Sequence, residues 1–204
     1  MMRITHSLAL IQALLLGSVL IAGSASAVAK DHPKVLMVVA SYKVAEVEYN
    51  EPRQQLEQAG AIVHVASVKM SPATTYSAQT ILPDLLIDDA RADDYDAIVL
   101  IGGEGAAGDL WGHAKLQQLV NAGYNQHKLV AAICAAPVVL ARAGLLQQRK
   151  ATAFYSSDIL SELKKGQASY TGNRVEIDGR LITGNGPAAS GEFGKAVRQA
   201  LEAL

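Results

Sequence analysis

Four mostly apolar runs, each of strand length, place the strongest constraint on how this chain can fold. They occupy residues 34–40, 61–68, 97–101 and 129–133. Their apolar residues do not alternate regularly with polar ones, so both faces of each strand must be buried. A parallel sheet with helices on both faces buries its strands in this way.

Stretches with a helical pattern lie between these runs and after them, over residues 46–59, 113–126, 137–143 and 188–204. Strands that alternate with such helices predict an α/β fold, a doubly wound, mostly parallel, flavodoxin-like sheet with helices on both faces. Two hairpins are expected as well, over residues 74–87 and 173–183. Ligands bind such sheets beyond the carboxyl ends of the strands.

Residues 1–27 have the pattern of a secretory signal peptide. A weakly positive start with Arg3 precedes a largely apolar stretch over residues 8–22, and small residues at 25–27 provide a cleavage site. The alternative is an uncleaved anchor, but the apolar stretch is shorter than the ~20 residues that span a membrane. The sequence therefore predicts an exported, periplasmic protein that begins at Val28 and is not held at the membrane.

The remaining chain, residues 28–204, can enclose one hydrophobic core and contains no repeat or linker, so a single domain is predicted. The 18 basic and 19 acidic residues are scattered and give a net charge of −1. This distribution argues against a nucleic-acid partner. No group of His, Cys, Asp and Glu has the spacing of metal ligands, and neither a metal nor another cofactor is expected.

Cys134, the single cysteine, stands between the predicted strand 129–133 and the predicted helix 137–143. A turn of this kind holds a nucleophile above the sheet edge, close to N–H groups that stabilise a thiolate or an oxyanion. The alternative is a small buried side chain in the core. In an oxidising compartment a structural cysteine usually has a disulfide partner, which this chain lacks, so export favours a functional thiol.

Four segments, taken together, carry a family resemblance. They are residues 45–48, 96–103, 130–137 and 178–187. In this order and spacing they resemble the ThiJ/PfpI superfamily, which includes the Parkinson-disease protein deglycase. The resemblance covers nearly all of the predicted mature chain. It implies the class I glutamine amidotransferase-like fold with a nucleophile elbow, and a homodimer.

The resemblance also implies roles for four residues. Cys134 matches the elbow cysteine, and Glu48 matches a glutamic acid that donates a hydrogen bond to it, for which burial must keep the carboxyl protonated. Gly103 and Ala135 match the backbone N–H groups of an oxyanion hole. Without the resemblance, Glu48 is equally a solvated residue in the first turn of a helix, and Gly103 a plain turn after a strand.

Two departures from the family pattern concern histidine. The protease-like branch has a histidine directly after the cysteine, where this chain has Ala135. The deglycase branch has one in the strand after the elbow helix, where this chain has Phe154 and Tyr155. Neither cysteine–histidine pair can be assembled, which makes peptidase activity doubtful.

Further candidates for the pocket are Glu104, His113, Tyr155 and Asn185. Glu104 follows the Gly-Gly turn and provides either a carboxylate near the thiol or a solvated loop residue. For His113 and Tyr155 the alternatives are a helix-capping histidine and a core aromatic.

Three functions remain open on this basis. The first is a cysteine-dependent, glyoxalase- or deglycase-like hydrolyase that acts on small aldehydes such as methylglyoxal without glutathione. The second is a non-catalytic redox sensor or chaperone-like stress protein that works through oxidation of Cys134. The third and least favoured is a cysteine peptidase or amidase.

Overall fold

The computed structural model describes residues 32–204, and the predicted signal peptide lies outside the described residues. The strands are β1 Lys34–Val38, β2 Ile62–Ser67, β3 Ala73–Thr74, β4 Thr80–Ile81, β5 Leu85–Leu86, β6 Ala97–Leu100, β7 Leu129–Ile133, β8 Lys150–Ala151, β9 Ser169–Tyr170, β10 Val175–Asp178 and β11 Leu181–Gly184. The helices are α1 Glu46–Gln58, α2 Gly105–Asp109, α3 Ala114–Asn125, α4 Pro137–Arg142, α5 Ser157–Lys165 and α6 Ser190–Glu202.

The central sheet has the strand order β10-β11-β7-β6-β1-β2-β5. Only β10 is antiparallel, and it pairs with β11 through the predicted second hairpin. All other neighbours in this sheet are parallel. The order runs outward in both directions from β6 and β1, which confirms the predicted doubly wound fold.

The core lies between this sheet and its helices. Every residue of β6, β7 and β11 is buried, as their apolar sequences require. Helix α1 packs against α6, while α4 packs against both α3 and α5. Over residues 32–204, no helix combines the length and the apolar character needed to cross a bilayer.

Several elements differ from the sequence-based expectation, among them helix α2 and the separate β8–β9 pair, which the sequence pattern does not predict. The first predicted hairpin is shorter than 74–87, because only β3 and β4 pair in it, and β5 instead extends the central sheet beside β2. Helix α5 was not predicted. Its first turn is capped by Ser156, whose Oγ accepts a hydrogen bond from the N–H of Ile159 at 3.4 Å, and its buried Ile159 and Leu163 lie one turn apart on one face.

Candidate active site

The backbone at Cys134 forms a sharp turn between β7 and α4. Its φ is +63°, a left-handed conformation that costs a residue other than glycine about 1–3 kcal/mol. Two hydrogen bonds hold it: the N–H of Cys134 donates to the carbonyl of Gly184 at 2.9 Å, and the N–H of Phe154 donates to the carbonyl of Cys134 at 2.9 Å. The turn thus aims the thiol beyond the carboxyl end of β7.

The thiol is only 9% exposed. Burial raises the pKa of Cys134 above its usual value, and the charge and hydrogen bond of Glu48 raise it further. The N–H groups of Gly103 and Ala135 donate to the sulfur and act in the opposite direction. These are the two amides that the resemblance assigns to an oxyanion hole, and the fold brings both to the sulfur.

Glu48 lies in the first turn of α1 and is completely buried. Burial raises the pKa of its carboxyl to about 7, although the neighbouring Cys134 and the N–H of Gly102 lower it. That N–H donates to Oε2 at 3.1 Å. The other oxygen, Oε1, is buried without a hydrogen-bond partner among the described residues.

The carboxyl and the thiol behave as one pair of acids. Because a negative charge on either group disfavours ionisation of the other, the two do not both ionise near neutral pH. A shared proton beside a nucleophile is what general acid–base catalysis at a sulfur adduct requires.

The Gly102–Gly103 turn allows this close approach. A Cβ on Gly102 would lie 2.6 Å from both the Cβ of Cys134 and Oε2 of Glu48. Gly103 has a φ of +106°, and a Cβ there would collide with the carbonyl of Lys43. Glycine is therefore required at both positions by space, and at Gly103 by backbone conformation as well.

A cavity of about 450 Å³ opens above the thiol. We call its buried base the floor, formed by Glu48, Gly103, Cys134 and Ala135. We call its exposed or half-buried far side the outer wall, formed by Phe154, Ser156, Asp158 and Pro187. The other lining residues are Ala45, Tyr76, Glu104, Ala107, Trp111 and Ile159.

Of the four further pocket candidates, only Glu104 lines this cavity. Its carboxylate pairs with Lys43, and its N–H donates to Tyr76 Oη at 2.7 Å. His113 lies outside the cavity and instead caps α3, where its Nδ1 accepts from the N–H of Leu116 at 3.3 Å. The expectation of a pocket role is therefore not met for His113, because the helix start takes up its ring nitrogen.

Tyr155 and Asn185 also lie outside the cavity. They line a second, adjoining hollow, which shares Phe154 and Pro187 with the first. Tyr155 is 77% exposed. The core alternative considered for Tyr155 is therefore not met either.

Sequence reasoning missed two residues that shape the cavity. Trp111 lines it and is held by a hydrogen bond from its Nε1 to the carbonyl of Ala135 at 2.8 Å. Asp158 lines it from the first turn of α5. The capping serine two residues before Asp158 was the available signal, since Ser at an N-cap marks a helix start.

The sequence model of the DJ-1/PfpI family matches residues 33–200. The chain belongs to this family. An uncharacterised protein of Methanocaldococcus jannaschii is 40% identical over 83% of this chain and 82% of its own length. The Drosophila melanogaster protein dj-1beta is 30% identical over 82% of this chain and 89% of its own length. The deglycase PfpI of Pyrococcus furiosus is 27% identical over 76% of this chain and 90% of its own length.

Solved structures of family members share the fold. A ThiJ/PfpI domain protein from Brachyspira murdochii superposes with a TM-score of 0.80 at 29% identity, over 85% of this chain and 98% of its own. Drosophila melanogaster DJ-1beta superposes with a TM-score of 0.75 at 28% identity, over 83% of this chain and 90% of its own. The family membership and the fold inferred from the sequence are both confirmed.

Proposed function

We propose that this protein is a glyoxalase- or deglycase-like enzyme that converts small 2-oxoaldehydes such as methylglyoxal to hydroxy acids without glutathione. Cys134 is the nucleophile, and Glu48 donates and accepts protons. The observation that carries the proposal is the buried carboxyl beside the thiol, with a pKa raised to about 7. Relatives named deglycases, at 26–28% identity, support it.

The first step starts from the Cys134 thiol and the Glu48 carboxylate, since the pKa of the thiol is raised above its usual value and that of Glu48 is about 7. Glu48 takes the proton of the thiol while the sulfur forms a bond to the aldehyde carbon, and the carbonyl oxygen becomes an alkoxide. The N–H groups of Gly103 and Ala135, which already face the sulfur, stabilise this charge. Glu48 then gives its proton to the alkoxide, so that the products are a hemithioacetal and a Glu48 carboxylate.

The second step moves hydrogen between the two carbons of the substrate. The Glu48 carboxylate takes the proton from the carbon bonded to sulfur, which leaves an enediol. It returns that proton to the neighbouring carbon, while the hydroxyl proton passes to the second oxygen. The product is a lactate thioester on Cys134. A carboxyl with a pKa near neutral is suited to take and return a proton in turn.

In the last step Glu48 takes a proton from water as the water oxygen adds to the thioester carbon at the same N–H groups. The carbon–sulfur bond then breaks, and Glu48 returns the proton to the departing sulfur, which regenerates the thiol and the Glu48 carboxylate. The sum is methylglyoxal plus water giving lactate and a proton, with no oxidant or reductant.

The test is lactate formation from methylglyoxal, without glutathione, by the wild type and by Cys134→Ser. We expect a loss of at least about 1,000-fold in the variant, since serine is the weaker nucleophile at this position. Thermal unfolding of both proteins serves as the control for folding. Equal activity in both would refute the proposal, and so would no activity in either.

Redox sensing is the second candidate, and one observation favours it. The two N–H groups at the Cys134 sulfur would also donate hydrogen bonds to the oxygens of a sulfenic or sulfinic acid. Intact mass after mild peroxide treatment tests it: addition of one or two oxygen atoms at Cys134 is expected, and an unmodified mass would exclude it. A peptidase ranks last, because no histidine among residues 32–204 lines the cavity.

Export and self-association are separate proposals. We propose that residues 1–27 direct export to the periplasm and are removed, because their sequence has the pattern of a signal peptide. An N-terminus at Val28 in periplasmic protein is the expected result, and an intact N-terminus would contradict it. The homodimer implied by the family resemblance is tested by sedimentation of the purified protein.

A further inference from the structure

We propose that the cavity above Cys134 selects its substrates by charge: it admits uncharged and positively charged carbonyl compounds and disfavours those that carry a carboxylate or phosphate. The proposal rests on the function proposed above and narrows its substrate class. The specificity-determining residues are Asp158 and Glu104.

The first observation is the composition of the lining. Three carboxyl side chains line the cavity, those of Glu48, Glu104 and Asp158. Of the described residues that line it, none is a lysine, arginine or histidine. An anionic substrate would therefore meet acidic groups and find no cation among them to pair with.

The second observation is that two basic side chains in contact with lining residues are already paired. Lys43 pairs with Glu104. Arg142 lies 5.5 Å from the ring of Trp111, and its Nε donates to Glu162 at 2.7 Å. Each of these cations is balanced by a carboxylate, so neither provides a free positive charge to a ligand.

Asp158 has no such partner. It is exposed, and its carboxylate has one hydrogen bond within residues 32–204, from Ser157 Oγ at 3.2 Å, and no ion pair. Its place in the first turn of α5 sets it against the partial positive charge of that helix end, about half a unit. The full negative charge of Asp158 outweighs this, so the outer wall stays negative.

The expected discrimination between anionic and neutral ligands is modest, because the opening of the cavity is solvated. One carboxylate several ångströms away through solvent changes the local concentration of a singly charged ion about twofold. Asp158 is the unbalanced charge, because Glu104 is paired with Lys43 and Glu48 is only partly ionised near neutral pH, so the expected discrimination is about two- to fourfold at low salt. Because such charges are screened beyond about 10 Å at 0.1 M salt and more closely above it, the effect must shrink as salt rises.

The test uses alkylation of Cys134, which does not depend on turnover. Iodoacetamide is neutral and iodoacetate is an anion, and both transfer a carbon to the thiolate with loss of iodide. The chain has a single cysteine, so intact mass measures this reaction alone. The ratio of the two rate constants is divided by the same ratio for 2-mercaptoethanol, which removes the intrinsic difference between the reagents.

We expect the wild type to prefer iodoacetamide about two- to fourfold at low salt, and we expect this preference to disappear in 0.5 M NaCl. Asp158→Asn and Glu104→Gln should each lower the preference about twofold. Asp93→Asn is the matched control, because Asp93 is an exposed carboxylate that precedes β6 and so lies at the opposite edge of the sheet. It should leave the ratio unchanged.

A wild-type ratio equal to that of 2-mercaptoethanol, or one that neither pocket variant changes, would overturn the charge selection. The two proposals fail separately. Charge-dependent alkylation without conversion of methylglyoxal leaves this inference standing and removes the catalytic one. Conversion of methylglyoxal with charge-independent alkylation leaves the catalytic proposal standing and removes the charge selection.

Discussion

The floor and the outer wall of the cavity are built on different principles. The floor is closely packed, both within itself and against Gly102 beneath it: the Glu48 carboxyl is fully buried, and a Cβ on Gly102 would overlap both it and Cys134. On the outer wall, Phe154 is 45% exposed and Asp158 faces solvent. In a close-packed region one added atom destabilises the fold, whereas substitution of an exposed side chain usually changes stability little.

The family resemblance implies matches at Glu48, Gly103 and Cys134 on the floor. It implies departures at Ala135 on the floor, where the protease-like branch has a histidine, and in the stretch with Phe154 and Tyr155, where the deglycase branch has one. Because the wall is tolerant of substitution, the protein can keep one reactive centre and alter what surrounds it.

The largest effect is expected for Glu48→Gln on the floor. Glutamine keeps an oxygen for the Gly102 N–H but cannot transfer protons, so kcat for methylglyoxal should fall about 10²- to 10⁴-fold. Glu51→Gln is the matched control, since Glu51 is an exposed carboxylate on the same helix. Activity within tenfold of the wild type in Glu48→Gln would remove the carboxyl from the mechanism.

Adding a single methyl group to the floor should destabilise the fold. In Gly102→Ala the new Cβ meets Cys134 and Glu48 at 2.6 Å and the carbonyl of Ile133 at 2.7 Å. Such overpacking typically lowers the free energy of unfolding by about 1–3 kcal/mol. In the control Gly112→Ala the Cβ has no neighbour within 4 Å, and urea unfolding should change by under about 0.5 kcal/mol. Equal unfolding midpoints for the two variants would contradict a close-packed floor.

The pH dependence of stability should also report the buried carboxyl. The pKa of Glu48 is raised from 4.5 to about 7, so between these values the folded chain keeps a proton that the unfolded chain has lost. Stability must therefore fall as pH rises from about 4.5 to 7. At 1.36 kcal/mol for each pKa unit the loss is about 3 kcal/mol.

Comparison with Glu48→Gln isolates this contribution, because all other titrating groups are shared by the two proteins. Urea midpoints measured from pH 4.5 to 8 should show the wild type losing stability relative to the variant, and levelling off above pH 7. Parallel curves for the two proteins would mean that the carboxyl titrates normally.

More of the floor than of the outer wall could be predicted from the sequence, for physical reasons. Apolar runs determine buried parallel strands, so the sheet, the edge at which Cys134 stands and the Gly102–Gly103 turn were all predictable. Whether the Glu48 carboxyl is buried or solvated was not, since both are natural in a first helical turn. The directions of the Phe154 and Tyr155 side chains could not be predicted either. They lie in an irregular segment, whose side chains follow no regular alternation.

The smallest effect is expected on the outer wall, where Phe154→His introduces a histidine into the stretch in which the family resemblance implies one. Phe154 lines the cavity, so an imidazole there would stabilise the thiolate, and alkylation of Cys134 at pH 7 should accelerate about tenfold, as one pKa unit implies. Tyr155→His is the control, because Tyr155 faces the second hollow. A faster reaction in Phe154→His alone would show that an outer-wall residue alters the reactivity of Cys134 on the floor. Equal rates in both would mean that the two regions are independent, and that the reactivity of Cys134 is set by Glu48 and the two N–H groups.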